Sequence, residues 1–410
     1  MKFSQYQFCP ELQRNIADMG YKRPTDIQFK SITPILQGQD VLAIAQTGTG
    51  KTAAFAIPVI QKIHQSKSNK SSKGIRCVVL APTRELVVQL GNFFNKIEKH
   101  TFVKSVFIIG GVEQEPQIKK LVKGCDILIA TPGRMFDLYS QGYINFDNVD
   151  TLIIDEAEQM LRFGFLDDIN QLVKKLPPHQ TLFFSATINK EIKRLAYSVV
   201  RNPIRIQISP KNPISRNIKH LLLKVKMDDK RFFLERLIKE HQNEKVLVFV
   251  RTKVRAERVK KFLDRVGIVS GVIHGSKEQS DRLDVLNDFK EGDLLVLIAT
   301  DVSSRGIDIP DVAVVVNYDM PESGETYVHR IGRTGRYRQK GFAYSFCDKN
   351  EMNQLQNIQD YIGEEIELMP VKSTDYSDTI SYSEESSADW KSLTKQIEEF
   401  ELSKKKKKKK

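Results

Sequence analysis

Eleven short runs rich in Val, Ile and Leu, set apart by longer stretches of helical character, constrain the fold of this chain more than any other feature. They are Val41–Ala45, Cys77–Ala81, Ser105–Ile109, Asp126–Ala130, Thr151–Ile154 and Thr181–Phe184, then Val246–Val250, Val269–Ile273, Leu294–Ala299, Val312–Val316 and Phe342–Phe346. A strand wetted on one side alternates apolar with polar residues, whereas an unbroken apolar run suits a strand covered on both faces. The pattern predicts an α/β fold, with mainly parallel sheets flanked by helices. Such sheets hold ligands beyond the carboxyl ends of their strands. Polar clusters stand at those ends: Thr47–Thr52, Pro82–Glu85, Thr131–Arg134, Asp155–Glu158 and Ser185–Thr187.

The 410 residues suffice for two or three domains at roughly 150 residues each, and an internal echo points to two similar halves. Val79-Leu-Ala-Pro-Thr83 resembles Val248-Phe-Val-Arg-Thr252, and Leu128-Ile-Ala-Thr131 resembles Leu297-Ile-Ala-Thr300. The two threonines are 48 residues apart in each half. Duplication is the favoured reading over coincidence between short apolar strings. The Pro-rich stretch Ser209-Pro-Lys-Asn-Pro-Ile-Ser215 reads as the connection. The expected organisation is a first domain over 1–208, a linker over 209–217, a second domain over 218–368 and a low-complexity tail over 369–410. That tail turns to Ser, Asp and Glu before ending in seven lysines, Lys404–Lys410. It is expected to be disordered.

Net charge is +13, and the first 370 residues alone carry +11, because the acidic stretch 371–403 nearly cancels the lysine run. A folded part that is basic in its own right favours a polyanionic partner. Cys9, Cys77, Cys125 and Cys347 are too scattered for a disulfide framework or a Cys-x-x-Cys metal site, and read as reduced thiols. The N-terminus has no apolar signal region, and no run approaches a membrane span. A soluble cytoplasmic protein is the expectation.

Ala45-Gln46-Thr47-Gly48-Thr49-Gly50-Lys51-Thr52 follows one apolar run and should open a helix. A phosphate-binding loop needs glycines for a tight backbone whose N–H groups face the phosphates. It also needs a lysine to reach the outer phosphates and a hydroxyl for Mg²⁺. The strict pattern has Gly where Ala45 stands. Asp155 and Glu156 end another apolar run. There a carboxylate can hold Mg²⁺, directly or through water, and its neighbour can orient or deprotonate the attacking water. Alone, that pair would read as helix-capping charge; beside the loop it completes a nucleoside triphosphate site.

With these residues in hand, the chain resembles a DEAD-box RNA helicase over about residues 3–350. Gly20-Tyr21-Lys-Arg-Pro-Thr-Asp-Ile-Gln28 resembles the family's Q motif. The resemblance implies that Gln28 reads the adenine edge and that Tyr21 stacks on its face. Pro82-Thr83-Arg84-Glu-Leu86, Gly110-Gly111 and Thr131-Pro-Gly133-Arg134 resemble the RNA-contacting motifs of the first domain. Ser185-Ala-Thr187 resembles the motif that couples hydrolysis to unwinding. In the second half, Val248–Thr252, Gln279-x-x-Arg282 and Thr300–Asp308 match later motifs, implying RNA contacts at Thr252, Arg282 and Thr300 and an ATP contact at Asp308. His329-Arg-Ile-Gly-Arg333-Thr-Gly-Arg336 matches the segment that carries arginine fingers. Guanidinium forks suit the charge of a transferring phosphoryl group, and both arginines would have to cross to nucleotide held by the first domain. The general look is closest to the short bacterial RhlE-like branch.

The resemblance implies two tandem RecA-like domains, ATP and Mg²⁺ as ligands, and RNA bound through its backbone by a monomer. Lys51, Asp155, Glu156, Arg333 and Arg336 would be catalytic, with Thr52 and Asp155 on the metal. One departure stands out. The motif that usually ends in Asp ends here in Glu158. In the family that carboxylate links the nucleotide site to Ser185, Thr187 and the residue matched by His329. The longer arm keeps the charge, so hydrolysis should be retained, and the alternatives are altered coupling or tolerated drift. Two rival functions remain open at this point: an ATP-gated RNA clamp with little unwinding, and a DNA-unwinding motor, against which the Q motif argues.

Overall fold

Every residue of the strands Val41–Ala45, Cys77–Leu80, Ile127–Ala130 and Thr151–Ile154 is buried, as unbroken apolar runs require. The computed structural model of the protein describes residues 1–46, 48–69, 74–208, 214–215, 217–301, 312–335, 340–369 and Thr379. Residues 209–213 and 216 of the expected linker, and nearly all of the expected tail, lie outside the described residues. The chain divides into two compact units, one built on Met1–Pro213 and the other on Ile214–Lys277 and most of the chain beyond it.

The first sheet comprises β1 (Val41–Ala45), β2 (Cys77–Leu80), β3 (Ser105–Ile108), β4 (Ile127–Ala130), β5 (Thr151–Ile154), β6 (Gln180–Ser185) and β7 (Ile204–Ile208). Its order is β3-β4-β2-β5-β6-β1-β7, and every pairing is parallel. Helices α1 (Pro10–Asp18), α2 (Asp26–Leu36), α3 (Lys51–Asn69) and α4 (Arg84–Ile97) pack on one face. Helices α5 (Glu115–Val122), α6 (Pro132–Ser140), α7 (Ala157–Arg162), α8 (Leu166–Lys175) and α9 (Lys190–Val199) pack on the other. Successive strand residues divide between the two cores: Val41, Ala43 and Ala45 join the first, and Leu42 and Ile44 the second. That is the period of two for a strand buried on both faces.

The second sheet comprises β8 (Ile218–Lys224), β9 (Lys245–Val250), β10 (Gly271–Ile273), β11 (Val296–Thr300), β12 (Val312–Asn317), β13 (Gly341–Cys347) and β14 (Glu367–Leu368). It too is parallel throughout, in the order β10-β11-β9-β12-β13-β8-β14. Helices α10 (Lys230–Glu240) and α11 (Lys253–Arg265) close one face, and α12 (Gln279–Glu291) connects β10 to β11. Numbered from its own first strand, each sheet reads 3-4-2-5-6-1-7. The 48-residue threonine pairs fall at matching places, after the second strand of each sheet and at the end of the fourth. The expected duplication therefore appears as one topology used twice.

Three strands were not legible as apolar runs: β7, β8 and β14. The four cysteines are free, three buried and Cys9 partly so. No helix among the described residues is long and apolar enough to cross a membrane.

Candidate functional site

The loop after β1 leads directly into α3, whose first residue is Lys51. Gly48 and Gly50 have φ of +80° and +92°, which L side chains rarely adopt. A Cβ on Gly50 would also fall 2.4 Å from Gln28 Nε2. That close approach is used. Gln28 Nε2 donates to the Gly50 carbonyl at 3.1 Å, while its Oε1 accepts from the Thr25 backbone N–H at 2.9 Å. The Gln28 amide is thus fixed in orientation by the capping box of α2 and tied to the phosphate-binding loop. Ala45 ends β1, Thr49 Oγ1 donates to the Gln46 carbonyl at 2.7 Å, and Thr52 follows Lys51 in the first turn of α3. Thr47 lies outside the described residues.

Lys51 is buried, and its Nζ donates to the Ala45 carbonyl at 2.8 Å. Asp155 and Glu156, beyond the end of β5, are buried as well. In the sheet order only β6 separates β5 from β1. Burial pushes the Asp155 carboxyl above the usual range; the charge of Lys51 and the Glu156 N–H pull it back, and the charge of Glu158 adds to the rise. Loop and carboxylate thus follow strands of the same sheet, near enough for the charge of Lys51 to act on Asp155. Glu156 itself sits at φ +48°, ψ +49°. A left-handed conformation costs a non-glycine residue about 1–2 kcal/mol, and such strain gathers at functional sites. It turns the chain abruptly from β5 into α7.

Glu158 reaches β6. Its Oε2 accepts from Ser185 Oγ at 2.6 Å and from the Ala186 N–H at 3.1 Å, while its Oε1 is buried without a hydrogen-bond partner. The Thr187 N–H in turn approaches Ser185 Oγ at 3.4 Å. The longer arm therefore spans from α7 to the Ser-Ala-Thr segment.

Of the first unit's expected RNA contacts, Arg84 and Arg134 meet at one loop. Arg84 lies against Gly110 and Gly111, and a Cβ on Gly111, at φ +74°, would fall 2.0 Å from its Nη1. Arg134 Nη2 donates to the Val112 carbonyl at 3.1 Å, and its Nη1 is buried without a partner. Thr83, after Pro82, caps α4: its hydroxyl accepts from the Leu86 N–H at 3.2 Å. Thr131 occupies the cap of α6 without a side-chain bond, and Gly133 has open space where a Cβ would stand.

In the second unit Thr252 caps α11, accepting from the Arg255 N–H at 3.2 Å. Thr300 ends β11, and His329 and the buried Arg333 belong to or follow the helix Gly324–Ile331; Arg282, on α12, lies in the segment Glu278–Leu283 that groups with the first unit. Asp308 and Arg336 lie outside the described residues.

Sequence reasoning missed two features. Tyr21 is backed by Phe3, with ring centroids 6.1 Å apart and planes 25° from parallel; the signal was the aromatic run Phe3, Tyr6 and Phe8. Arg330 lies between the expected fingers and His329, yet its guanidinium is consumed internally. It forms a fork on Asp301 (Nε to Oδ1 2.6 Å, Nη2 to Oδ2 2.8 Å), and Nη1 donates to Asn317 Oδ1 and the Asp319 carbonyl. It ties two of the second unit's motifs together.

Against known proteins, the family model described as DEAD/DEAH box helicase matches residues 25–195, and that described as helicase conserved C-terminal domain matches 229–338. The chain is 39% identical over 360 residues to the ATP-dependent RNA helicase CshA of Listeria monocytogenes, covering 88% of this chain and 68% of that one. It is 38% identical over 380 residues to the ATP-dependent RNA helicase RhlB of Shewanella amazonensis, covering 91% and 86%. The solved structure of S. cerevisiae Dbp5 bound to RNA and ADP BeF3 superposes with a TM-score of 0.82 at 32% identity, covering 92% of this chain and 98% of that one. Both sheets, the strand-end residues and these likenesses agree: the chain belongs to the DEAD-box family of helicases.

Proposed function

We propose that this chain is an ATP-dependent RNA helicase, in which RNA stimulates ATP hydrolysis and hydrolysis drives local, non-sequence-specific separation of RNA duplexes or remodelling of RNA–protein complexes. It would act as a cytoplasmic monomer, with RecA-like domains over 1–208 and 218–368 joined by 209–217. The observation that carries this reading is the burial of both Lys51 and Asp155 beyond the carboxyl ends of strands in one sheet, with the Lys51 charge acting on the Asp155 carboxyl and Glu156 strained beside it.

In this reading Lys51 exchanges the Ala45 carbonyl for the outer phosphates, and the backbone from Gln46 to Thr52 cradles them. Gln28 and Tyr21 hold the adenine. Glu156 positions the attacking water and accepts its proton. The Thr52 hydroxyl and the Asp155 carboxylate fit Mg²⁺: both are hard oxygen donors, and Asp155 is a desolvated carboxylate in need of positive charge. Mg²⁺, when bound, neutralises phosphate charge. Arg333, Arg336 and Asp308 serve the nucleotide from the second domain. Phosphate and sugar contacts fall to Pro82, Thr83, Arg84, Gly111, Thr131, Gly133, Arg134, Thr252, Arg282 and Thr300, which would fix register without reading sequence. Glu158, Ser185, Thr187 and His329 couple the two events.

The test is the ATPase rate with RNA, with DNA and without nucleic acid, for the wild type and Glu156→Gln. The wild type should respond to RNA in preference to DNA, and the variant should lose about 100-fold or more, the scale of a general base. Full activity in the variant, or indifference to RNA, would overturn the mechanism.

A further inference from the structure

A surface outside the nucleotide site and the 110–112 loop carries positive charge that forms no ion pair among the described residues. The solvent face of α9 presents Lys190, Lys193, Arg194 and Tyr197, and Arg201, before β7, and Arg205, within it, add two more cations. At 100° per residue the four helical positions fall within an arc of about 100°. The opposite face, Ile192, Leu195, Ala196 and Val199, is buried in the core. Among the described residues none of the five cations has an ion-pair partner, although α9 also carries Glu191. Other exposed helices differ. In α10 Arg236 pairs with Glu240 at 3.0 Å, and in α11 Lys260 pairs with Asp264 at 2.8 Å. A merely solvated helix gains from such i,i+4 pairs, whereas like charges at that spacing, as at Lys190 and Arg194, are destabilising. They stand moreover in the first half of the helix, where its dipole already disfavours cations. Beside them a surface cleft of about 470 Å³ is lined by Tyr197, Arg201 and Arg205 among others, with the Arg205 guanidinium 5.0 Å from the centre of the Tyr197 ring.

We propose that this face of α9, with Arg201 and Arg205, is a second RNA-binding surface that engages the sugar–phosphate backbone of a segment other than the one held near Arg84 and Arg134. The inference rests on the helicase reading above. Unpaired cations interleaved with an exposed ring suit phosphates and a stacked base. A protein partner would call for a central apolar cluster, and this helix face offers a single ring. The surface lies toward the β7 edge of the sheet. Arg84 follows β2, four strand spacings away, which is about 19 Å at roughly 4.8 Å each. An RNA long enough to reach both places would be held at two points, so that a flanking arm stays attached while the central segment is processed.

The test uses the full chain with Lys193→Gln, Arg194→Gln, Arg201→Gln and Arg205→Gln combined, and Tyr197→Ala separately. Affinity is measured by fluorescence anisotropy between 50 and 200 mM salt, roughly the range over which counterion release is read, for RNAs of about 8 and about 40 nucleotides. For the longer RNA the combined variant should bind about 10- to 100-fold more weakly, with a log–log salt slope shallower by about 3, at ~0.7 per lost phosphate contact. Binding of the short RNA, and the ATPase it stimulates at saturation, should stay within about twofold of wild type, since those RNAs fill one site only. Tyr197→Ala should weaken the longer RNA by about tenfold, the scale of one stacked base, with little change in slope. Unchanged long-RNA binding, or an equal loss for both lengths, overturns the proposal. So does competition by poly-glutamate as effective as that by unlabelled RNA, which would mark a general polyanion surface. If short RNA fails to stimulate the wild-type ATPase, it is the helicase reading that fails, independently of α9.

Discussion

Glu98, at the carboxyl end of α4, combines three unfavourable circumstances: burial, a helix end that disfavours negative charge, and the nearby charge of Asp126. One oxygen accepts from the Ser105 N–H at 3.2 Å, and the other is buried without a partner. Burial, with a smaller push from Asp126, raises its pKa from 4.5 to about 7. Above pH 4.5 the unfolded chain releases this proton while the folded chain keeps it, so stability falls as pH climbs through that window and levels off above 7. The loss is on the order of 3 kcal/mol. Glu98→Gln, which keeps shape and removes charge, should stabilise the protein at pH 8 and leave it unchanged near pH 4.5. Denaturation midpoints across pH measure this; a difference independent of pH would refute it. Glu158 yields a second prediction. Because it already holds Ser185 and the Ala186 N–H, Glu158→Asp should retain hydrolysis and change unwinding per ATP little. Glu158→Ala should keep hydrolysis and lose about tenfold or more in unwinding per ATP, since it removes the acceptor of two charged hydrogen bonds and one alone is worth about tenfold. Parallel ATPase and strand-displacement assays separate the two. Residues such as Lys51, Asp155 and Glu158 were legible because their types are unusual at the end of an apolar strand. Glu98 and Arg330 were not, since a lone Glu in a polar stretch or an Arg among arginines acquires meaning only from what the fold packs around it.

Elements were legible in proportion to their burial. The central strands β1, β2, β4, β5, β9 and β11 lie where unbroken apolar runs predict them, within a residue or two. The missed strands stand at or next to a sheet edge. Ile204-Arg-Ile-Gln-Ile208 alternates and is largely exposed, and Glu367–Leu368 is exposed in both residues; a strand with one partner need not be apolar on both faces. Helix starts hold a further consequence. Thr83 and Thr252 adopt nearly the same conformation, φ −128°, ψ 153° and φ −130°, ψ 153°, and each caps its helix through the hydroxyl. Thr131 makes no such bond. Thr83→Ala and Thr252→Ala should therefore each cost about 1 kcal/mol of stability, with Ser restoring it, while Thr131→Ala should cost less. Urea denaturation decides, and equal losses at all three positions would contradict the capping role. The hydroxyl proton at Thr83 and Thr252 is not used by the cap, so capping leaves it available to a phosphate.

At the scale of the molecule, the repeated strand order implies two bodies that each close their own core. Among the described residues, two cores of the first unit are made from residues between Phe3 and Ile208, and one core of the second unit from residues between Leu221 and Phe346. Among the described residues none of these three cores includes a side chain from the other half, so each half should fold when expressed alone. Function should not divide so cleanly. Lys51, Asp155 and Glu156 belong to the first half, and the arginines proposed to stabilise the transferring phosphoryl group, Arg333 and Arg336, to the second. Residues 1–213 alone should show cooperative unfolding and bind an ATP analogue, yet hydrolyse ATP about 10³-fold or more slowly than the intact chain, the scale of an arginine finger. RNA should no longer accelerate them. Circular dichroism, nucleotide titration and ATPase assays on the two fragments test this. RNA-stimulated turnover by the first fragment alone would show that the arginines are dispensable. An unfolded first fragment would show that the two cores depend on each other in a way their side chains do not disclose.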